Sequence, residues 1–409
     1  MNIIINKTRL LRLPICLLMS FGIELAAQAQ TAQTNSLAGG NTAFALDLYA
    51  RLSGAPGNLF FSPYSMSTCL GMTYAGARGE TETQMGQVLR FSPGQAGVHS
   101  AFGELQKQLT DTNNLKGNQL NIANALWTQQ GEPFLPSFLK TTTDAYQASV
   151  KQADFTIGAG AVVREINDWV AQKTQDRIKD ILSPANLDSS TRLVLANAIY
   201  FKGRWASLFM TAATRSLPFS VSRTNRASVP LMTQRESVRY MGNDDFQAVE
   251  LPYIGDQLSM LILLPRQVEG LGQLEKQLTP AFLARTLPQM ENQRVTVFLP
   301  RFKLEWRNVL NDTLAEMGMT DAFVPGKADF SGINGTKTFN ISVVIHKAWL
   351  EVNEEGTEAA AGSVGAMGLS GPPRPTPVFR ADHPFIFLIR DTRSGSLLFI
   401  GRMADPKKA

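Results

Sequence analysis

Along most of the chain the apolar positions fall into short runs whose spacing alternates between helical and strand-like. "NTAFALDLYARL" puts Phe44, Leu48 and Leu52 on one helical face. "SPYSMSTCLGMTYAGA" opens with Ser62, suited to capping a helix, and Pro63, whose fixed φ suits the first helical position. "GETETQMGQVL" predicts a further helix and "AVVREINDWVAQKTQDRI" a long amphipathic one, with a strand at "LNIANALWTQ" between them. "TRLVLANAIYFKG" is apolar at nearly every position, the mark of a strand buried on both faces. "LSMLILLP", "QRVTVFLPRFKLEW" and "ISVVIHKAWLEVNE" predict three more strands, and "PFIFLIRDTRSGSLLFIG" a hairpin turning at Arg393-Ser394-Gly395. Helices weigh towards the N-terminal part and strands towards the C-terminal part, with no repeat and no change of composition to mark a linker. The pattern predicts one large α+β domain with extensive sheets.

One stretch breaks this pattern. "EEGTEAAAGSVGAMGLSGPPRPTP", Glu354 to Pro377, begins with two carboxylates, continues through small residues and ends in prolines around Arg374. It cannot build a packed core, yet strand-like sequence stands on both sides. The hairpin that follows must pair with the preceding sheets, so the stretch is a loop internal to one domain. A structureless loop of that length is uncommon and is usually functional or disordered.

With 44% hydrophobic and 18% charged residues, the 409-residue chain has ordinary globular composition. Lys7, Arg9 and Arg12, then an apolar stretch, then Ala27-Gln28-Ala29 read as a secretory signal peptide over residues 1–29. The expectation is therefore a secreted protein, extracellular or periplasmic, whose folded domain occupies residues 30–409. Only Cys69 would remain, so no internal disulfide is expected and the core must suffice unaided. The net charge of +5 includes no basic run and points away from nucleic acid. No later segment is long and apolar enough to span a bilayer, so no membrane partner is expected once the signal is removed.

Catalysis finds no support in the motifs. The three histidines, His99, His346 and His383, lack metal-ligand spacing, and there is no cysteine pair. Nucleophile-elbow, phosphate-loop and zinc-helix signatures are missing, and Gly362, Gly365 and Gly368 precede no helix. A histidine within the apolar strand "SVVIHKAWL" is more often hydrogen-bonded in a core than a catalytic base. The expectation is a non-enzyme without metal or cofactor.

Four segments carry a resemblance. "NLFFSPYSMSTCLGMTYAGARGETETQM", "TRLVLANAIYFKGRW", "ISVVIHKAWLEVNEEGTEAAA" and "ADHPFIFLIRDTRSGSLLFIGRMADP" are similar to successive signature segments of the serpins, in order, from about Asn41 to Pro406. The resemblance implies a single-domain serpin fold, helices around three β-sheets with an exposed reactive-centre loop at about 354–380. It also implies a suicide-substrate inhibitor of serine proteases. Serpin loop insertion is itself an established example of strand addition and of switching. A protease cleaves the loop and forms an acyl-enzyme. The upstream part of the loop then enters the central sheet as a new strand, and the tethered protease is distorted.

The loop chemistry meets that requirement independently. From Gly356 to Ser370 there is no proline, which a central strand would not tolerate. Alternate residues from Thr357 are Thr357, Ala359, Ala361, Ser363, Gly365 and Met367, none charged and most small. The opposite set holds Glu358, which faces solvent in this register and would be buried by a slip of one. A strand of about a dozen residues adds roughly that many backbone hydrogen bonds at ~1 kcal/mol net each. That is on the order of a whole domain's stability, so the loop-out form can be metastable behind a kinetic barrier.

The resemblance assigns further roles. Glu354, Gly356, Thr357, Glu358, Ala359, Ala360 and Ala361 form an inhibitory-type hinge. Ser62, Ser65, Asn197 and His346 match the shutter where the sheet parts. Trp205 and Arg301 match the breach, with Arg301 pairing Glu354. Spacing from the hinge glycine places the reactive bond at Ser370–Gly371, with Leu369 or Met367 as alternatives. Ser370 suits an elastase-like pocket, and Leu369 or Met367 a chymotrypsin- or subtilisin-like one. Arg374 is followed by Pro375, so a trypsin-like target ranks lower. "VHSAFGELQKQLTDTNNLKGN" offers only Lys107 and Lys116, so no heparin site is expected there, and the chain is expected to act as a monomer. The alternative reading is a non-inhibitory serpin acting as carrier or chaperone.

Overall fold

A computed structural model describes residues 15–408 apart from 93, 114–116, 157–158 and 356–375, without the side chains of 15–32, 110–113 and 159. Strands among the described residues are β1 (Leu59–Phe61), β2 (Gln119–Gln129), β3 (Ser149–Ala153), β4 (Leu193–Lys202), β5 (Arg215–Ser220), β6 (Arg226–Gly242), β7 (Phe246–Pro252), β8 (Leu258–Pro265), β9 (Glu291–Pro300), β10 (Phe302–Val309), β11 (Val343–Val352), β12 (Val378–Arg380), β13 (Phe385–Asp391) and β14 (Leu397–Met403). They form a five-stranded sheet in the order β10-β11-β4-β2-β3, and a nine-stranded sheet in the order β1-β14-β13-β8-β7-β6-β9-β12 with β5 alongside β6. The α+β expectation holds. Two of the three expected sheets are joined by the long strand β6, which pairs with β5, β7 and β9 along its length.

Early helices pack over the sheets: α1 (Ile15–Leu52), α2 (Pro63–Tyr74), α3 (Gly79–Val88), α4 (Gly94–Asn113), α5 (Pro136–Tyr146) and α6 (Ala159–Lys173). The ambiguity of an all-apolar strand resolves as predicted for β4. Leu193, Leu195, Ile199 and Phe201 face the main core with α1 and α2. Val194, Ala196, Ala198 and Tyr200 face a second core beneath Val162, Val163, Ile166 and Val170 of α6. Ser62 caps α2 by accepting from the Ser65 N–H at 3.1 Å, and all twelve residues of the helix are buried. Small residues allow that depth: a Cβ on Gly71 would stand 2.9 Å from the Tyr146 hydroxyl.

Three expectations change. The first helix begins far ahead of Asn41, because the Ala/Gln-rich residues before it favour helix and contain no proline. Helix α6 stops at Lys173 instead of reaching Ile178, since Gln175 and Asp176 take left-handed φ of 52° and 59°. The single strand read in "QRVTVFLPRFKLEW" is two. Pro300 lacks an N–H, and at Arg301 the chain leaves the nine-stranded sheet and enters the five-stranded one. The reading also passed over β5, β6 and β12, whose solvent-facing positions carry arginine or proline, and the short buried β7.

Cys69 lies on α2, buried and unpaired with another cysteine, and burial pushes its thiol pKa up. In a Cys16→Ser chain, thiol reagents should label Cys69 only as fast as the core opens. Rapid labelling of the native protein would contradict this packing.

Candidate functional site

Glu354 follows β11 of the five-stranded sheet, and Thr376 precedes β12 of the nine-stranded one. Its first anchor, β11, lies beside β4 in parallel register, from Val343 opposite Val194 to Leu350 opposite Phe201. Parallel pairing is slightly weaker per residue than antiparallel pairing, so this seam, like the edge pairing of β2 with β3, is weaker than the antiparallel ladders beside it.

A polar rung crosses the seam at mid-length. His346 of β11 stands opposite Asn197 of β4, which stands opposite Asn124 of β2. The Ser62 N–H donates to His346 Nε2 at 3.0 Å, so the proton of the imidazole is on Nδ1 and is donated to Asn197 Oδ1. The Asn197 amide nitrogen reaches Ser65 O at 3.0 Å, Ser65 Oγ at 2.6 Å and Asn124 Oδ1. Ser62 Oγ in turn donates to the Leu398 carbonyl of β14 at 2.6 Å. The start of α2 thus ties the seam to the other sheet. Ser62, Ser65, Asn197 and His346, paired on resemblance alone, come together here. Asn124 was missed, although an asparagine inside the apolar strand "LNIANALWTQ" was itself the signal. His346 is fully buried and desolvation pushes its pKa down to about 3, so it is neutral and structural.

A second cluster clamps the exit of β11. Arg301 meets Glu354 through two contacts, Nη2 to Oε1 at 2.6 Å and Nε to Oε2 at 3.0 Å. Thr214 Oγ1 donates to the same carboxylate at 2.6 Å, and the Phe209 N–H donates to the Glu354 carbonyl at 3.2 Å. The Glu354 side chain is 4% exposed and that of Arg301 47%. Burial would raise the Glu354 pKa, but the hydrogen bonds from Arg301 and Thr214 outweigh it and hold the carboxyl below its ordinary value. Trp205 donates from Nε1 to the Asn353 carbonyl at 2.9 Å and stacks on Tyr253 with centroids 4.6 Å apart. Thr214 was not anticipated; it lies in a short turn that no motif marks.

At the far end Thr376 Oγ1 accepts from Arg235 Nη2 at 2.8 Å, and the Thr296 N–H donates to the Pro377 carbonyl at 2.9 Å, leading into β12 along β9. The hinge residues Gly356, Thr357, Glu358, Ala359, Ala360 and Ala361, and the reactive-bond candidates Met367, Leu369, Ser370 and Gly371, lie outside the described residues. Of the other histidines, His99 sits beside the Tyr146 hydroxyl at 2.7 Å, and His383 bridges Asp382 and the Pro265 carbonyl. Among the described residues no three His, Cys, Asp or Glu side chains gather as a metal site, and no helix is long and apolar enough to cross a membrane.

A family model described as "Serpin (serine protease inhibitor)" matches residues 39–406. The chain is 41% identical over 382 residues to leukocyte elastase inhibitor of Homo sapiens, covering 90% of this chain and 99% of that protein. It is 42% identical over 379 residues to serpin B6 of Macaca fascicularis, covering 90% and 99%. Among solved structures, uncleaved ovalbumin matches with a TM-score of 0.82 at 32% identity, over 91% of this chain and 100% of ovalbumin. The highly specific Serpin48 of the insect Tenebrio molitor matches with a TM-score of 0.80 at 30% identity, over 90% and 98%.

These comparisons correct the expectation of a secreted, signal-bearing product. Both curated relatives are matched over 99% of their own length by 90% of this chain, so neither supplies a counterpart of a leader. The proposed cut at Ala29 also falls inside α1 rather than between elements. Secretion is withdrawn.

Because His346 has its pKa lowered in the fold, its contribution to stability is complete above the unfolded value of about 6.5 and is lost as pH falls towards about 3. In His346→Gln, the unfolding free energy should lose the part of the acid slope, up to about 1.4 kcal/mol per pH unit, that this proton contributes. Equal slopes for the two proteins, read by denaturant titration between pH 6.5 and 4, would refute a neutral His346.

Proposed function

The chain belongs to the serpin family, protease inhibitors rather than enzymes, and on that premise we propose that it traps a serine protease of elastase-like specificity as a suicide substrate. One observation carries the reading above all: the seam between β11 and β4 is parallel, and the chain leaving β11 is the proline-free, alternately small segment that starts at Gly356. A strand returning from β11 between these two would run antiparallel to both. Insertion exchanges one parallel ladder for two antiparallel ones, each of the stronger type. The small set from Thr357 to Met367 then faces inward, and Glu358 outward.

In this mechanism Glu354 and Arg301 with Trp205 hold the exit of β11 until the loop is cut, and Ser62, Ser65, Asn197 and His346 hold the middle of the seam. Parting the strands breaks the His346–Asn197 bond. Cleavage at Ser370–Gly371, with Leu369 or Met367 as the other candidates for the attacked residue, releases the upstream segment while the protease remains acylated. Insertion must outrun deacylation, otherwise the loop is only a substrate. Elastase-like specificity is supported by the small Ser370 and by relatives that bear the name leukocyte elastase inhibitor.

Incubation with an elastase-like serine protease should give an SDS-stable adduct and a small C-terminal fragment beginning between Gly368 and Pro372, and cleavage should raise the melting temperature. Cleavage with neither adduct nor thermal gain would leave a carrier or chaperone. A paired substitution tests the alternation itself. Ala361→Arg, on the inward set, should divert nearly all inhibitor to plain cleavage, whereas Ala360→Arg, on the outward set, should keep the adduct. Equal adduct yields would overturn the register.

A further inference from the structure

The nine-stranded sheet carries, on β6, β7, β8 and β13, a charged ladder that the inhibitory mechanism does not use. Arg239 of β6 stands directly opposite Glu250 of β7, and Arg390 of β13 stands opposite Ser259 of β8. Arg239 Nη1 donates to Glu250 Oε2 at 2.5 Å, and Arg390 Nη1 donates to Oε1 at 2.9 Å. Ser259 Oγ adds a third donor at 2.7 Å. The Glu250 side chain is 5% exposed, that of Arg390 13% and that of Arg239 36%. Two guanidinium groups therefore share one saturated carboxylate, leaving a positive charge in excess within hydrogen-bonding range.

That excess faces a cleft of about 410 Å³, lined also by Ser237, Asn292, Thr392 and Asp256. The volume lies within the range of small-molecule sites. Arg239 spends Nη2 on the Leu287 carbonyl of the neighbouring helix (Pro280–Gln289), and its Nε forms no hydrogen bond among the described residues. Among the described residues Arg390 forms none from Nε or Nη2, so one edge of a largely buried guanidinium that lines the cleft is left without a protein acceptor. Among the described residues Asn292 and Ser237 likewise keep unengaged side-chain donors, while Thr392 Oγ1 is occupied with the carbonyls of Asp256 and Gln257. The second acid in the cleft, Asp256, is at the exposed rim and makes no ion pair with either arginine. Counted with Asp256 the lining is two-to-two, but the inner part, two guanidiniums on the one Glu250 carboxylate with Asp256 at the solvated rim, offers an anion of matching fork geometry its unused donors.

We propose that this cleft is a binding site for a carboxylate, taken by the free edge of Arg390 with Arg239 and Asn292 as further donors. The carboxylate comes from a small organic acid or from an acidic side chain of a peptide. The site is independent of the protease-trapping reading and stands or falls separately from it.

Calorimetric titration of the full chain at constant ionic strength tests the site, with succinate, its neutral analogue succinamide, and a capped Ala-Asp-Ala peptide as probes. Saturable 1:1 binding of succinate without binding of succinamide is expected for a free acid, and preference for the peptide over succinate identifies a side-chain ligand. Asp256→Asn, a change at the rim, should tighten binding severalfold. Asn292→Asp, also exposed, should weaken it at least tenfold, as should Arg390→Gln. The rim variants keep the test valid should Arg390→Gln fail to fold. Absence of saturable binding to either carboxylate probe, or affinities indifferent to the Asp256 and Asn292 changes, would reduce the ladder to a self-contained ion pair.

Discussion

The fold turns on a polar contact in an apolar place: a neutral imidazole on β11 hydrogen-bonded across a parallel seam to an asparagine on β4. Apolar side chains on the two strands would hold the seam by area alone and would tolerate sliding. A hydrogen bond between buried groups behaves differently. Made, it adds about 1 kcal/mol, and broken without replacement it leaves unsatisfied groups at about 1–3 kcal/mol. The seam therefore resists partial opening more than its length suggests, and Ser62 extends that resistance to β14 in the other sheet. Such a contact favours abrupt over gradual parting of the strands, which is what a kinetic barrier requires.

The clamp at the exit of β11 works by other means. Glu354 is buried and Arg301 is half-exposed, so the net worth of their ion pair is modest. Loss of either partner is the larger effect. Without arginine, a carboxylate is stranded in the interior with Thr214 and its own backbone N–H as its remaining donors among the described residues. The two devices differ in their sensitivity to solvent. The rung is dry and uncharged, whereas the clamp has one edge in water and is weakened by salt.

Much of this was legible in the sequence, for identifiable reasons. The unbroken apolar run of β4 announced a strand between two cores, and Ser62–Pro63 announced the capped start of α2. The alternation after Gly356 lies outside the described residues and bears only on the proposed function. The residues of the polar rung and of the clamp were reached through family likeness rather than from the residues themselves, because no local pattern says that Asn197 of one strand meets His346 of another. The failures have physical causes too. The run "QRVTVFLPRFKLEW" keeps strand character on both sides of Pro300, so periodicity alone did not show a change of sheet. The first helix was read as two unlike pieces, a leader and an amphipathic helix, because hydrophobicity changes there while helix propensity does not.

The passage from β9 to β10 has one further meaning. Only Arg301 separates the two strands, and it is also the residue that grips Glu354. Both strands have fixed pairings, β9 with β6 and β10 with β11. A chain with period-two faces cannot absorb an extra residue at such a junction. One insertion would turn the side chains of β10 to the opposite face or pull the guanidinium off its carboxylate. Length at this point is thus held to a single value by both sheets and by the clamp at once.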